Sequence, residues 1–206
     1  MSEAATVLEQ AHSLLPARGN RFVELLEAGE IPGERLEWLA GELYHLVRSD
    51  RRSFALAGSR FPDSPFLALA SGESEALALL LDFAAAVDAQ PRRHEPRPLA
   101  QAYPAFLAQT AMYGSRSDLA LALLANVGES GRTYARVADA LQAHYGLDDR
   151  AVAHFRFFAD TPPALLDEAM ATLATGLAGG DDAATAIRTA RMVDAYEHLF
   201  WDALAT

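Results

Sequence analysis

Cysteine is absent from the 206 residues, and so is lysine: all 17 basic side chains are arginine. Without cysteine there is no disulfide framework, no thiolate metal site and no thiol nucleophile. Without lysine there is no Schiff-base chemistry, no lysine-anchored pyridoxal phosphate and no P-loop lysine. No apolar run approaches the ~18 residues that a membrane-spanning helix needs. The opening MSEAATVLEQ carries Glu3 and Glu9 where a secretory leader would place basic residues and then an apolar stretch. A signal peptide is therefore not expected, and a cytoplasmic location is. Positive charge is scarce as well, with a net charge of −11. Nucleic-acid binders neutralise phosphates with basic surfaces, so direct nucleic-acid binding is not expected, nor is a membrane partner.

Alanine and leucine dominate, and β-branched residues are few. Both biases favour helices over strands. Apolar spacing and breakers predict helices at 3–15, 20–29, 33–58, 72–88, 99–113, 117–144, 148–159, 162–178 and 181–204. The breakers fall between them: Pro16 with Gly19, Gly29 to Gly33, Pro62 to Pro65, and Gly179-Gly180. Asp181 or Asp182 is placed to cap the last helix. The stretch QPRRHEPRPL (90–99) reads as one long loop, either a solvated interhelical connection or a lid or anion-binding loop. There is no internal repeat, and nothing divides the chain. The expected architecture is all-α, a compact multi-helix bundle forming one domain over residues 1–206.

Polar side chains on apolar helix faces are the candidate site residues. In the last helix, Met192, Val193, Tyr196, Leu199, Phe200 and Leu204 form an apolar arc at 100° per residue, and Glu197 falls inside it. A buried carboxylate needs a partner or a purpose, because unpaired burial costs several kcal/mol or raises its pKa. In the helix 33–58, Leu36, Leu39, Leu43, Leu46 and Val47 form the core stripe, with Trp38, Glu42 and His45 in a second row beside it. That row reads as a solvated flank or as a pocket lining. Ser130 and Tyr134 share an inward face if the helix 117–144 runs unbroken through Gly128 and Gly131. Tyr103 shares a face with Phe106, Leu107 and Thr110.

Four segments carry a family resemblance: RFVELLEAGEIPGERLEWLAGELYHLV (21–47), SGESEALALLLDFAAAV (71–87), LAQAYPAFLAQTAMYGSRSDLALALLANVGESGRTYARVADAL (99–141) and ARMVDAYEHLFWDAL (190–204). In this order they resemble the TenA/PqqC-like branch of the heme oxygenase-like fold, over nearly the whole chain. The closing Tyr-Glu, Phe-Trp segment is the most specific. TenA proteins hydrolyse thiamin or aminopyrimidine breakdown products in a pocket combining an acid, tyrosines, a cysteine and a late glutamate. Carried over by position, the acid of the second long helix falls on Glu42 and the Tyr one turn later on His45. A pocket Tyr falls on Tyr103, the cysteine on Ser130 with Tyr134 four residues on, and the late glutamate on Glu197.

The resemblance thus implies Glu197, Glu42 and Ser130 as catalytic residues and His45, Tyr103 and Tyr134 as substrate-binding residues, all converging on one cavity. Losing the thiol removes cysteine-dependent thiaminase chemistry. A serine nucleophile needs a base, for which His45 is the candidate; otherwise Glu197 works as acid/base on a water. The expectation is a cofactor-free hydrolase or related enzyme acting on a small heteroaromatic or amine-bearing metabolite. A diiron oxidase and a non-catalytic small-molecule binder or regulator of the same fold remain as alternatives. Glu42-x-x-His45 has the Glu-x-x-His spacing of diiron carboxylate proteins, and by resemblance Glu129 sits near where the diiron relatives carry another glutamate, but their late His-x-x-x-Asp-x-x-His helix is missing, and no metal is expected. Self-association is expected, since relatives commonly assemble and 51% of the residues are hydrophobic.

Overall fold

The structure is a computed structural model and describes residues 2–206. These residues form nine helices and no strand. They are α1 (Glu3–Leu14), α2 (Arg21–Glu27), α3 (Gly33–Arg60), α4 (Phe66–Ala86), α5 (Ala102–Tyr113), α6 (Arg116–Tyr145), α7 (Ala153–Ala159), α8 (Pro163–Ala178) and α9 (Ala183–Ala205). The all-α expectation stands, and most boundaries lie within a few residues of those read from the sequence. The clearest departure is α4, which starts at Phe66 rather than near residue 72, directly after the Pro62–Pro65 turn. Among the described residues, no helix is long and apolar enough to cross a membrane.

Local chemistry sets the helix ends. The Ser2, Asn20 and Asp182 side chains accept from backbone N–H groups in the first turns of α1, α2 and α9. Ser115 and Asp118 form a reciprocal capping box at the start of α6. Gly146 closes α6 in the left-handed conformation (φ 67°), which glycine adopts without a Cβ penalty. The helix α6 runs through Gly128 and Gly131 without a break. At Gly131 the chain faces the end of α7, where a Cβ would meet the Ala159 and Phe158 carbonyl oxygens at ordinary contact distances of 3.4 and 3.5 Å.

The long helices pair into two halves. One sets α3 against α4 and α5; the other sets α6 against α7, α8 and α9. The α5–α9 contact joins them. The α3 stripe of Leu36, Leu39, Leu43, Leu46 and Val47 is buried as expected. It packs with Phe22, Phe83, Phe155, Phe200 and Trp201 in the main core. A second cluster gathers Val7, Leu121, Leu173 and Ala190, and a third Phe54, Phe66, Leu107 and Leu119. These clusters leave a cavity between them, which holds the candidate site.

The row Trp38, Glu42 and His45 lines no part of that cavity, and Trp38 and His45 keep partial exposure. It receives the 90–101 segment, which straps across α3. The fully buried Glu42 carboxylate accepts from His94 Nε2 at 2.9 Å, the Arg97 backbone N–H at 2.8 Å and Gln101 Nε2 at 3.2 Å. His45 Nε2 pairs with the His94 carbonyl at 3.0 Å. The Arg97 guanidinium stacks 3.6 Å from the Trp38 ring centroid, with Arg35 4.6 Å from the same centroid, and both arginines donate to carbonyls at the end of α9. Gly41 admits the strap, since any Cβ there would collide with His94. The 90–99 stretch is therefore an interhelical connection whose Arg92, Arg93, Glu95, Pro98 and Leu99 are solvent-exposed, and it is not a lid on that cavity, which none of its residues lines. Its polar groups satisfy Glu42 and hold α3 to the C-terminal end of α9.

Candidate active site

The cavity has a volume of about 700 Å³, which suits a ligand of drug size. Most of its wall is apolar, with Leu46, Phe54, Leu107, Phe157, Phe158 and Trp201 among the lining residues. Into this wall project the polar side chains of Asp50, Glu73, Tyr103, Ser130, Tyr134 and Glu197, from α3, α4, α5, α6 and α9.

Four of the six residues carried over from the sequence meet here: Tyr103, Ser130, Tyr134 and Glu197. Glu42 and His45 do not, which corrects the expectation that all six share one cavity. Both are committed to the strap described above, so His45 is not positioned as a base for Ser130. The acid that α3 does contribute is Asp50, two helical turns beyond Glu42. A second acid, Glu73 of α4, was missed altogether. Both carried the signal that found Glu197, a carboxylate within an apolar stripe. Asp50 interrupts Leu43, Leu46, Val47, Phe54 and Ala57; Glu73 interrupts Phe66, Ala70, Ala76, Leu80 and Phe83. Every other member of those stripes is buried.

The electrostatics follow chiefly from burial. The Glu197 carboxyl is pushed up from the ordinary 4.5 to about 7, chiefly by desolvation; the adjacent Ser130 hydroxyl and His198 oppose the rise, while Asp194 and Glu129 add to it. What exposure Glu197 retains is toward the cavities it lines. Asp50 and Glu73 are raised well above the usual carboxylate range. For Asp50 the causes are burial and then Glu197, opposed by a hydrogen bond from Tyr103; for Glu73 they are burial and then Asp50. Asp50 Oδ1 and Glu73 Oε2 have no hydrogen-bond partner. Tyr103 and Tyr134 are raised well above the ordinary tyrosine value, first by burial and then by these acids, so both phenols stay O–H donors at neutral pH.

Behind Glu197 lies a second, much smaller polar cavity of about 20 Å³, also lined by Asn126, Glu129, Asp194 and His198. That is room for about one water molecule. His198 Nδ1 donates to the Asp194 carbonyl at 2.9 Å, and its Nε2 lies 3.8 Å from Glu129. Glu129 is thus separate from Glu42 and His45, which belong to the strap. Among the described residues, no three His, Asp or Glu side chains are arranged to hold a metal ion.

No protein-family model matches the sequence, and no curated protein does. Solved structures match over the full length. A domain of unknown function with a heme oxygenase-like fold from Shewanella denitrificans superposes with a TM-score of 0.69 at 15% identity, covering 98% of this chain and 88% of that one. A TenA homologue from Pyrococcus furiosus gives 0.66 at 18% identity, covering 99% and 98%. A TenA family transcription regulator from a Silicibacter species gives 0.65 at 20% identity, covering 100% and 97%. The chain has the heme oxygenase-like fold in the form found in TenA homologues, as its sequence suggested.

Proposed function

We propose that the chain is a cofactor-free enzyme acting on a small heteroaromatic or amine-bearing metabolite, a TenA-like hydrolase or a close variant that works without the thiol. The observation that carries this reading is Glu197. It is a carboxyl pushed up to about 7, set in a cavity of about 700 Å³ with the Ser130 hydroxyl beside it and two phenols among the lining groups. A carboxyl that titrates near neutral pH can give a proton to a leaving group and take one from an attacking nucleophile. Glu197 lines the same cavity as Ser130 and takes the role of its base, which the sequence had assigned to His45. The nucleophile is then a water activated by Glu197, or Ser130 itself deprotonated by Glu197. Tyr103 and Tyr134 remain donors for the developing negative charge.

The test is turnover of a panel of amino-substituted heteroaromatic compounds, followed by mass spectrometry. Glu197→Gln preserves shape and abolishes titration, and is expected to lower kcat by about 10²–10⁴-fold, the usual contribution of general acid–base catalysis. Wild-type-like turnover in this variant would refute the catalytic assignment. A wild type that binds panel members and converts none would favour a non-catalytic binder using the same cavity.

A homo-oligomer acting in the cytoplasm completes the proposal, with no direct part for nucleic acid or membrane. The hydrophobic share of 51% and the assembly common among proteins the sequence resembles support self-association. Sedimentation at micromolar concentration is expected to give a dimer or tetramer; a monomer would contradict it.

A further inference from the structure

We propose that Asp50 and Glu73 form a two-carboxyl clamp for a cationic nitrogen group, one bearing at least two N–H donors on an apolar body. The inference rests on the cavity being a small-molecule site, but not on any reaction taking place there. Asp50 is 3% exposed and Glu73 7% exposed, and both line the cavity. They come from different helices, α3 and α4, and each carries one buried carboxyl oxygen without a hydrogen-bond partner. A buried unsatisfied polar atom costs about 1–3 kcal/mol, and here two lie on carboxyls that line the same cavity. A ligand with two N–H groups removes both costs at once, and positive charge on it strengthens each bond.

The surroundings select for charge. From α5 and α6 the groups facing the pair are Tyr103, Ser130 and Tyr134, and from α9 it is Glu197. Arg156 is the cation on the cavity wall, and its guanidinium is engaged by Asp139 and Gln142 at 2.6 and 2.8 Å. No arginine or histidine contributes to the shifts of Asp50 or Glu73. A ligand cation therefore meets no competing positive charge. The wall beside the pair, with Phe54, Leu69 and Phe157, is apolar, as the body of such a ligand requires. Glu73 is the decisive member. Beside Asp50, the Tyr103 hydroxyl lowers the pKa of the carboxyl; Glu73 adds a second carboxyl to the same wall, so two carboxyls compete for few donors.

A proton balance follows. Two carboxyls this close in an apolar wall share protons rather than both ionising. When a cation enters, the pair gives up a proton to solvent, and the positive charge that leaves is replaced by the one that arrives. Binding therefore strengthens as pH rises.

The probe is benzamidine, with benzamide as its neutral near-isostere. Isothermal titration calorimetry of the full chain, in two buffers of different ionisation enthalpy, reads affinity and proton release together. Benzamidine is expected to bind at least about tenfold more tightly than benzamide, as one charge-assisted bond implies, with release of up to one proton. Glu73→Gln and Asp50→Asn should each weaken benzamidine about tenfold and reduce the release. Glu75→Gln, which removes a charge from the exposed side of the same helix, should change neither. Equal binding of the two probes, no binding of benzamidine at millimolar concentration, or unchanged proton release in Glu73→Gln would each overturn the clamp. Circular dichroism of both variants separates misfolding from lost recognition. The readout is binding alone, so the clamp can stand while catalysis by Glu197 fails, and the reverse.

Discussion

Replacing Glu197 with Gln is expected to stabilise the protein at about pH 8 by up to ~3 kcal/mol, and to change little near or below the ordinary glutamate value. In the folded chain the Glu197 carboxyl is pushed from 4.5 up to about 7. Unfolded, it returns to the ordinary value. Between the two, the native state holds a proton that the unfolded state has released. The associated stability is fully present below 4.5 and is lost as pH rises through about 7. Glutamine never ionises, so the variant escapes that loss. For a chain of this length, ~3 kcal/mol corresponds to roughly 10 °C in melting temperature. Thermal melts of both proteins across this range check the claim. A gap that does not change with pH would contradict it. The same substitution is expected to remove turnover, so activity and alkaline stability should move in opposite directions, as at sites where a strained group is kept for its chemistry.

His154 produces the opposite slope. The side chain is fully buried at the start of α7, with its ring packed among Tyr134, Phe155 and Phe158. Nδ1 donates to the Ala76 carbonyl at 2.8 Å, and Nε2 has no partner. Burial lowers its pKa from 6.5 to about 4, so the folded protein holds it neutral. As pH falls through this interval, the unfolded chain binds a proton that the native chain refuses. Its stability contribution is present above 6.5 and lost as pH falls to about 4, a change of ~3 kcal/mol. His154→Leu is expected to cost about 1 kcal/mol at neutral pH, because the bond to Ala76 is lost. It should then lose less stability than wild type on acidification. Urea unfolding at a series of pH values tests this; parallel profiles for the two proteins would refute it. In wild type the His154 and Glu197 effects oppose each other between 4.5 and 6.5, while Asp50 and Glu73 act in the same direction as Glu197. Each single variant should therefore unmask the slope of the other group.

The fold was largely legible because it rests on local signals. Proline and glycine breaks, the Asp182 cap and the α3 stripe all act within one or two helical turns. Glu197 was legible for the same reason, as a lone carboxylate inside an apolar arc. Glu42 shows where such reasoning stops. Its row differed in chemistry from the core stripe, as the sequence indicated, but the partner was the 90–101 strap rather than a ligand. That choice depends on residues 52 to 59 positions away, His94, Arg97 and Gln101, which no helical period reveals. Glu73 was hidden by a boundary: a helix starting near residue 72 cuts Phe66 and Ala70 from the stripe that Glu73 interrupts. Asp50 is masked by its neighbours, since it sits in the charged run RSDRR (48–52), which reads as a solvated stretch of α3.

The central claim is that a carboxyl ready to exchange its proton near neutral pH sits in a ligand-sized cavity of this helical fold. Its most direct test is a carbon-13 NMR titration of protein labelled at the glutamate side-chain carboxyl, with Glu197→Gln used to assign the resonance. The account predicts a Glu197 midpoint of about 7, on a signal missing from the variant. A Glu197 midpoint in the ordinary glutamate range would contradict it.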